Sequence, residues 1–427
     1  MATVSAPRGM RDFLPAEKAR REHALAVIRR VYRRFGFDEI ETPVLENYDR
    51  LHSGLGGDNE KISFSVLKRG IGADELRAAA ENDDLASLTD LGLRFDLTVP
   101  LARYYATHRA ELPSVFRSVQ IAPVWRAERP QKGRYRQFVQ SDIDIIGEAG
   151  ILAEIELIGA TTEVLRELGV TGTRVRINDR RLITGMLEAF GFTPEEFSGV
   201  LITIDKLDKI AATGVIAELR ERGVTAPAID ALAAFLETEQ AAGEFSAEAI
   251  AARLPEGVDP EVIAELAQIG ASVEGELVFD PFLVRGMGYY TGAIFEIEHT
   301  DFGYALGGGG RYDGMIGRFL GQDVPAVGFS IGFERIVDLI EANAEDAEES
   351  LVLIYDRNVE PAALVALKNE VAAAGTRVRL DKRAKNFRAL LERAAEAGYT
   401  AYATVTAETT RASDLDVKPL GTAESAG

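Results

Sequence analysis

The stretch VFRSVQIAPVWRAERPQKGRYRQFVQSDIDIIG, residues 115–147, decides the predicted fold. Its two ends, 115–126 and 137–147, are rich in β-branched and aromatic residues, and the polar, basic segment between them contains a glycine. Two such runs around a polar loop are typical of a β-hairpin. The sequence therefore predicts a long antiparallel hairpin.

One face of this hairpin is polar. Alternation places Arg126 with Glu128 on the first strand, and it places four side chains together on the second: Phe138, Gln140, Asp142 and Asp144. So many charged groups do not form a hydrophobic core. They suit a polar ligand, because guanidinium groups bind phosphate, an aromatic ring stacks on a base and carboxylates bind amines. An exposed, salt-bridged sheet face is the alternative that this pattern leaves open.

Segments on both sides of the hairpin carry helix or strand patterns. Residues 16–35 follow the three-to-four spacing of a helix, and Gly36 suits its C-terminal end. Residues 151–168 predict another helix, residues 174–177 a strand, and the Ala- and Glu-rich stretch from 180 to 272 an inserted helical domain. Six arginines of the first helix are expected on a solvated face: Arg20, Arg21, Arg29, Arg30, Arg33 and Arg34.

Strand patterns return after the predicted insertion. They predict strands at 283–284, 293–298 and 324–330 and a helix from 333 to 341. The acidic stretch IEANAEDAEES, 340–350, is typical of a linker. Alternating segments then predict a small α/β domain with strands at 351–355, 376–380 and 400–405 and helices at 360–374 and 385–397.

Composition excludes several classes of protein. The 427 residues are 46% hydrophobic, which is enough to build cores. Cysteine is absent, so disulfides, thiolate metal sites and cysteine nucleophiles are excluded, and the four histidines are scattered singly. We find no apolar run long enough to cross a membrane and no signal-peptide pattern at the N-terminus. We therefore expect a cytoplasmic, soluble, multidomain protein.

Charge is distributed unevenly along the chain. The formal net charge of −20 argues against indiscriminate nucleic-acid binding, and residues 218–276 hold 13 acidic against 3 basic residues. By contrast, residues 126–136 hold five basic residues and one acidic residue, and residues 377–388 hold six basic residues and one acidic residue. These two patches are suited to binding a polyanion, although solvated charged faces remain an equal alternative from charge alone.

Three further clusters lie downstream: LVRGMGYYTGAIFEI (283–297), ALGGGGRYDGMI (305–316) and AVGFSIGFERIVDLI (326–340). The four glycines of the second allow a ligand or a neighbouring strand to approach closely. They lack the spacing of a P-loop or a dinucleotide fingerprint, so a nucleotide enzyme of those folds is disfavoured.

Together these motifs resemble the class II aminoacyl-tRNA synthetases, and specifically the histidyl-tRNA synthetase family. The hairpin resembles class motif 2, AVGFSIGFERI resembles motif 3, and PRGMRDFLP (7–15) with the following helix resembles the region of motif 1. RGMGYYTG and GGGGRYDG resemble the two signatures of the histidine enzymes, and LRFDLTVPLARY (93–104) and IDKLDKI (204–210) also fit. The resemblance spans nearly all of residues 5–420 in the expected order.

The resemblance implies an α+β fold, in which an antiparallel sheet flanked by helices is interrupted by a helical insertion and followed by an α/β anticodon-binding-like domain. The implied domains, in chain order, are a first part of the catalytic core (1–180), the insertion (181–272), a second part of the core (273–340), the linker (341–350), the C-terminal domain (351–420) and a disordered tail (421–427).

The resemblance also implies a histidine–tRNA ligase. Such an enzyme makes histidyl-adenylate and pyrophosphate from histidine and ATP, then transfers histidine to the 3′ end of its tRNA. Members are homodimers. ATP would bring Mg²⁺, and no protein-bound metal is expected.

Site residues follow by matching the family motifs. For histidine they are Asp96, Leu97, Thr98, Arg126, Gln140, Asp144, Arg285, Tyr289 and Tyr290; for ATP they are Arg126, Glu128, Arg134, Phe138 and Arg335. Asp144 would accept one imidazole N–H, and Tyr290 would serve the other ring nitrogen. Arg126 and Arg285 would be the catalytic residues, because charge builds on the α-phosphate during attack. The tRNA acceptor end would meet Arg129, Gln131 and Lys132.

Two departures and one alternative accompany this resemblance. Gly288 stands where members usually carry Asp, and the last helix of the C-terminal domain is short or missing.

The alternative is the synthetase-like regulatory subunit of ATP phosphoribosyltransferase, which binds histidine without charging tRNA. Such proteins lack the C-terminal domain and tend to lose nucleotide-binding residues. Because the C-terminal domain and the nucleotide-binding residues are both present in this sequence, the sequence favours the synthetase.

Overall fold

A computed structural model describes residues 4–52, 62–131, 133–237, 245–285, 289–340 and 349–420. Two units emerge from it, one within Met1–Arg11 and Leu25–Ile340, the other within Asp12–Ala24 and Glu341–Gly427.

The helices and strands up to residue 340 are, in chain order, α1 (Pro15–Arg34), β1 (Asp38–Glu39), β2 (Leu45–Asn47), α2 (Tyr48–His52), β3 (Phe64–Leu67), α3 (Ala73–Glu81), β4 (Thr89–Leu93), α4 (Thr98–His108), β5 (Phe116–Trp125), β6 (Gln137–Ile146), α5 (Leu152–Glu167), β7 (Thr173–Asp179), α6 (Arg180–Phe190), α7 (Pro194–Ile204), α8 (Leu207–Glu221), α9 (Ala226–Leu236), α10 (Ala247–Ala251), α11 (Pro260–Ser272), β8 (Leu277–Phe279), β9 (Ala293–His299), β10 (Phe302–Arg311), α12 (Asp313–Leu320), β11 (Ala326–Ile331) and α13 (Phe333–Val337).

An eight-stranded sheet organises the first unit, with strand order β1-β5-β6-β11-β10-β9-β7-β8. The predicted hairpin is confirmed, since β5 and β6 pair antiparallel from Phe116 opposite Ile146 to Trp125 opposite Gln137. The pairs from β5 through β7 are all antiparallel, whereas the two edge pairs, β1 with β5 and β7 with β8, are parallel. The α+β fold is thus confirmed, with a mixed sheet where an antiparallel one was expected.

The centre of the sheet is buried by large apolar side chains. Phe295 of β9 and Phe329 of β11 are almost fully buried, with ring centroids 4.7 Å apart, and Ile143 of β6 is fully buried. These residues alternate with the polar positions of the same strands, as the two-residue period of a strand requires. The sheet therefore has an apolar side in the core and a polar side free to line a site.

The described residues of the predicted insertion, 180–237 and 245–272, form six helices. Their starts carry the expected signals: Asp179 caps α6 through the N–H of Arg181, and Thr193 and Glu196 form a capping box at α7. Buried apolar residues of α6, α7, α8 and α9 form one core with residues near 283 and 294. These helices and the large sheet belong to the same unit. That the insertion is a domain of its own therefore stays a prediction.

Three local predictions are wrong. Residues 283–284, predicted as a strand, are irregular and follow a turn at 281–282, where Asn178 donates to the carbonyl oxygens of Pro281 and Leu283. The strand lies earlier, at β8. The helix after β11 ends at Val337 instead of 341. Arg21 is buried rather than solvated, with its guanidinium 4.0 Å from the centroid of the Phe13 ring.

The C-terminal residues form the predicted α/β arrangement. Its elements are β12 (Ser350–Tyr355), α14 (Pro361–Ala373), β13 (Arg377–Lys382), α15 (Phe387–Glu396), β14 (Ala401–Val405) and β15 (Lys418–Pro419). Strand β12 lies between β13 and β14 and is parallel to both, and β15 pairs antiparallel with β14. Most of the predicted linker, 341–348, and the predicted tail, 421–427, fall outside the described residues. Among the helices that the structure describes, none is long and apolar enough to cross a membrane.

Candidate functional site

A cavity of about 710 Å³ opens on the polar face of the large sheet. Its floor is built from β6, β10 and β11, and residues between 204 and 209 of the insertion line it as well. Of the sequence-predicted site residues, the structure brings twelve to this cavity: Asp96, Thr98, Arg126, Glu128, Arg134, Phe138, Gln140, Asp144, Arg285, Tyr289, Tyr290 and Arg335.

The remaining predicted residues lie elsewhere. Leu97 is fully buried with its side chain outside the cavity, and its carbonyl oxygen accepts a hydrogen bond from Gln120. Arg129 and Gln131 are exposed in the loop between β5 and β6. Lys132 and Gly288 fall outside the described residues. The predicted acceptor-end residues are thus on the protein surface as far as they are described.

Three buried aspartates form one end of the cavity. Asp96, Asp142 and Asp144 are each about 95% buried or more, and one oxygen of Asp96 and one of Asp142 have no hydrogen-bond partner among the described residues. Burial raises the pKa of Asp96 to about 6 and that of Asp144 to about 7. Burial, followed by the charge of Asp144, raises the pKa of Asp142 well above its ordinary value. Unpaired acceptors in such a setting favour a cationic ligand.

Tyrosines surround the aspartate end. The hydroxyl of Tyr312 donates to Asp144 Oδ1 at 2.6 Å, and burial raises the pKa of Tyr312, so this hydroxyl stays a donor. The ring of Tyr289 lies 6.1 Å from that of Tyr312 and 4.8 Å from that of Tyr290, measured between centroids. The result is a pocket with flat apolar walls and polar tips, a shape that suits a small aromatic ring bearing nitrogens.

Arginines line the same cavity. Arg126 donates from Nε to the carbonyl oxygen of Phe95 at 3.0 Å, and its guanidinium lies 5.1 Å from the ring centroid of Phe138. Arg285 donates from Nη1 to Glu296 at 3.0 Å. Burial alone would lower the pKa of Arg285, but the neighbouring Tyr290 and Glu296 keep it above the ordinary value. Both guanidinium groups are suited to binding an anionic phosphate.

The glycine run forms the strand β10 beneath Arg285. A Cβ atom at Gly308 would lie 1.9 Å from Arg285 Nη1, so any larger residue would displace the guanidinium. Similarly, a Cβ atom at Gly328 of β11 would lie 2.1 Å from Asp144 Oδ1. Glycine is therefore required at both positions by the close approach of a site side chain.

The outer wall of the cavity carries a further pair of cations. Arg335 donates to the carbonyl oxygen of Ala305, and its guanidinium lies 4.9 Å from the ring centroid of Tyr304. Burial, and then the charge of Arg134, lowers the pKa of Arg335. Arg134 is exposed and lies 3.4 Å from the carboxylate of Glu128.

Several polar side chains of the site have no role in the sequence prediction. The prediction puts Asp142 on the polar face without a function, and Tyr312 belongs to the motif GGGGRYDG without one. Ser330 and Glu296 also line the cavity, from β11 and β9. Strand alternation within AIFEIEH would have marked Glu296, whereas only the pairing of β11 with β6 places Ser330 opposite Asp142.

Comparison with known proteins agrees with this geometry. The sequence model of the histidyl-tRNA synthetase family matches residues 9–336. The chain belongs to the histidyl-tRNA synthetase family. Within this family, it is 60% identical over 425 residues to a protein of Leifsonia xyli named histidine–tRNA ligase, covering 98% of each chain.

Two solved structures share the fold. One is a histidyl-tRNA synthetase from Nostoc sp. PCC 7120, with a TM-score of 0.76 and 24% identity over 98% of this chain and 95% of that one. The other, from Bacillus halodurans, is titled an ATP phosphoribosyltransferase regulatory subunit/histidyl-tRNA synthetase, with a TM-score of 0.74 and 21% identity over 95% and 99%. At these identities the likeness supports the histidyl-tRNA synthetase fold, and the function is argued from the site.

Proposed function

We propose that the chain is a histidine–tRNA ligase that activates histidine with ATP and transfers it to its tRNA. The observation that carries this proposal is a single cavity lined by three buried aspartates and by arginines, in a chain of the histidyl-tRNA synthetase family. The aspartates suit an amino acid with a cationic amine and a polar ring. The arginines suit the phosphates of a nucleotide.

Histidine would bind at the aspartate end. Its ammonium group would donate to Asp96, Thr98 and Gln140, and its imidazole N–H would donate to Asp144. Tyr312 leaves one oxygen of Asp144 for the substrate, since it already donates to the other. Tyr289 and Tyr290 would border the ring, with the hydroxyl of Tyr290 serving the second nitrogen.

ATP would bind across the arginines as its Mg²⁺ complex. Phe138 and Arg335 would hold the adenine between a ring and a guanidinium, with Glu128 at its edge and Arg134 on the phosphate tail. Attack of the histidine carboxylate on the α-phosphate builds negative charge on phosphoryl oxygens, and pyrophosphate leaves. Arg126 and Arg285 would stabilise that charge without a covalent intermediate, because their guanidiniums are already held by Phe95 and Glu296.

Transfer to tRNA would use parts of the chain outside this cavity. Arg129, Gln131 and Lys132 of the hairpin loop would meet the acceptor end, and the basic residues from 377 to 388 would meet tRNA phosphates. The ligase would work as a homodimer in the cytoplasm, as the family resemblance implies.

Histidine-dependent exchange of pyrophosphate into ATP tests the first half of the proposal. We expect exchange with histidine and none with glutamine, and we expect charging of histidine tRNA in the presence of all substrates. Histidine binding without exchange would instead support the regulatory-subunit alternative. That alternative is disfavoured because Arg126, Glu128, Arg285 and Arg335 all line the cavity.

A further inference from the structure

The N-terminal segment 7–11 lies against the loop of the hairpin, residues 126–136, hereafter the hairpin loop. The backbone N–H of Arg136 donates to the carbonyl oxygen of Gly9 at 2.7 Å, and the N–H of Arg126 donates to the carbonyl oxygen of Arg136 at 2.9 Å. The side chain of Arg136 then donates to the carbonyl oxygen of Glu128 at 2.9 Å. The N-terminal segment therefore bonds to Arg136, and Arg136 bonds in turn to Arg126 and Glu128 on the other side of the loop.

Gly9 fits this place because it lacks a side chain. Its φ is +82°, a conformation that residues with a Cβ atom rarely adopt. A Cβ atom there would lie 2.8 Å from Cγ of Pro130 and 2.9 Å from Cγ of Arg136. The backbone of segment 7–11 therefore packs directly on two side chains of the hairpin loop.

Arg11 connects the same loop to the rest of the site. Its guanidinium lies 3.5 Å from the ring centroid of Tyr135 in the loop, and it also forms an ion pair with Glu334 of α13. Glu334 is buried and accepts a hydrogen bond from the backbone N–H of Val139 at 3.1 Å. One arginine thus joins the loop, the helix that carries Arg335, and the strand that carries Phe138.

We propose that segment 7–11 is a brace that positions the hairpin loop for the nucleotide, with Gly9 and Arg11 as positioning residues. This inference rests on the proposed function, because Glu128 and Arg134 of that loop are the groups assigned to ATP. The loop holds five basic residues against one acidic residue, so its own charges repel one another. Without the brace, ATP binding would have to order the loop, and that ordering would weaken the affinity.

Gly9→Ala tests the brace against a matched control, Gly36→Ala. Both glycines have similar positive φ values, +82° and +86°, but no atom lies within 4 Å of a Cβ position at Gly36. Both variants therefore introduce similar backbone strain, but only Gly9→Ala also introduces a steric clash with the hairpin loop. We expect Gly9→Ala to raise the ATP KM in pyrophosphate exchange on the order of tenfold, with the histidine KM changed less than about twofold.

Cleavage by trypsin at the bond between Arg134, which is exposed, and Tyr135 reports the loop directly and does not depend on enzyme activity. We expect faster cleavage there in Gly9→Ala than in Gly36→Ala under native conditions. Arg11→Ala should show the same ATP-specific effect as Gly9→Ala. Arg11→Lys should recover only part, since lysine keeps the charge opposite Glu334 but lacks the planar group over Tyr135. Arg8→Ala removes a nearby exposed charge and should behave as the unchanged chain.

The outcomes separate the brace from the proposed function. If the unchanged chain exchanges pyrophosphate and the ATP KM rises only in the Gly9 and Arg11 variants, the brace is supported. Equal effects of Gly9→Ala and Gly36→Ala, or equal rises in the ATP and histidine KM values, would overturn it. Should Gly9→Ala not fold, the comparison of Arg11→Ala with Arg8→Ala decides alone. An unchanged chain without exchange activity would refute the proposed function, and the cleavage comparison would still decide whether the brace holds the loop.

Discussion

Tyr312 donates a 2.6 Å hydrogen bond to Asp144 across the strand β11, at the point where Gly328 has no side chain to block it. The bond joins the start of α12 to the strand β6 inside a buried pocket. Because it occupies one carboxylate oxygen, it orients Asp144 and leaves the other oxygen for a further donor.

Asp144→Asn should impair histidine recognition. The amide replaces a pure acceptor with a group that presents N–H atoms to one of two donors, and a mispaired buried polar group costs about 1–3 kcal/mol. We expect that loss in the histidine KM for pyrophosphate exchange, with the ATP KM little changed. Tyr312→Phe keeps the carboxylate and should have a smaller effect. A histidine KM that stays the same in Asp144→Asn would remove this residue from the pocket.

Arg285→Ala should fold normally and slow adenylate formation by about 10²–10³, the usual loss when one preorganised donor is removed. Transfer from preformed histidyl-adenylate to tRNA should suffer less, because the phosphorus chemistry is then complete. Single-turnover assays of the two steps provide the measurement. Gly308→Ala should slow the same step by displacing the guanidinium, whereas Gly314→Ala has open space and serves as the control. Equal slowing of both steps would indicate a structural role for Arg285.

The buried aspartates should make the ligand-free protein less stable as pH rises. Burial holds the pKa of Asp96 at about 6 and that of Asp144 at about 7, whereas an unfolded chain releases these protons near pH 4, about the usual value. Between those pH values the folded state binds more protons, so these groups lower the free energy of unfolding as pH increases.

Thermal unfolding of Asp144→Asn tests this sign. Its Tm relative to the unchanged protein should increase from about pH 5 to about pH 8, since asparagine cannot ionise. Asp90→Asn, at an exposed position of β4, provides the control. A Tm difference that does not vary with pH would show that Asp144 titrates normally.

The exposed lysines of the C-terminal basic patch, Lys382 and Lys385, should contribute to tRNA binding. Changing both to Glu should raise the tRNA KM and leave pyrophosphate exchange intact, because the cavity lies in the other unit. The log–log dependence of tRNA binding on salt should become shallower by roughly 0.7–0.9 per lost phosphate contact. Lys368→Glu, on α14 of the same unit, is the matched control. An unchanged tRNA KM would exclude the patch from the interface.

The sequence predicted most of the elements because their signals are local. The hairpin of β5 and β6 follows from alternation around a basic loop, and the helices of the insertion follow from the Ala- and Glu-rich composition of residues 180–272. The wrong strand at 283–284 shows the limit of such signals. Apolar residues such as Leu283 and Val284 favour a strand, but Asn178, more than a hundred residues away in the chain, donates hydrogen bonds to the carbonyl oxygens of Pro281 and Leu283, and the segment is irregular.

The sequence by itself determined the residue types of the site, the face of β6 on which they lie and the resemblance to one synthetase family. Only the tertiary structure decided which groups meet. Tyr312 bonds to Asp144 168 positions earlier in the chain, and Glu334 reaches Arg11 323 positions earlier. Such contacts depend on the order of the strands. They also depend on the absence of side chains at two glycines: Gly308 lets the guanidinium of Arg285 approach the backbone, and Gly328 does the same for the carboxylate of Asp144. The periodicity of a single strand does not predict which strands pair with it, because pairing between strands is set by the packing of the whole sheet.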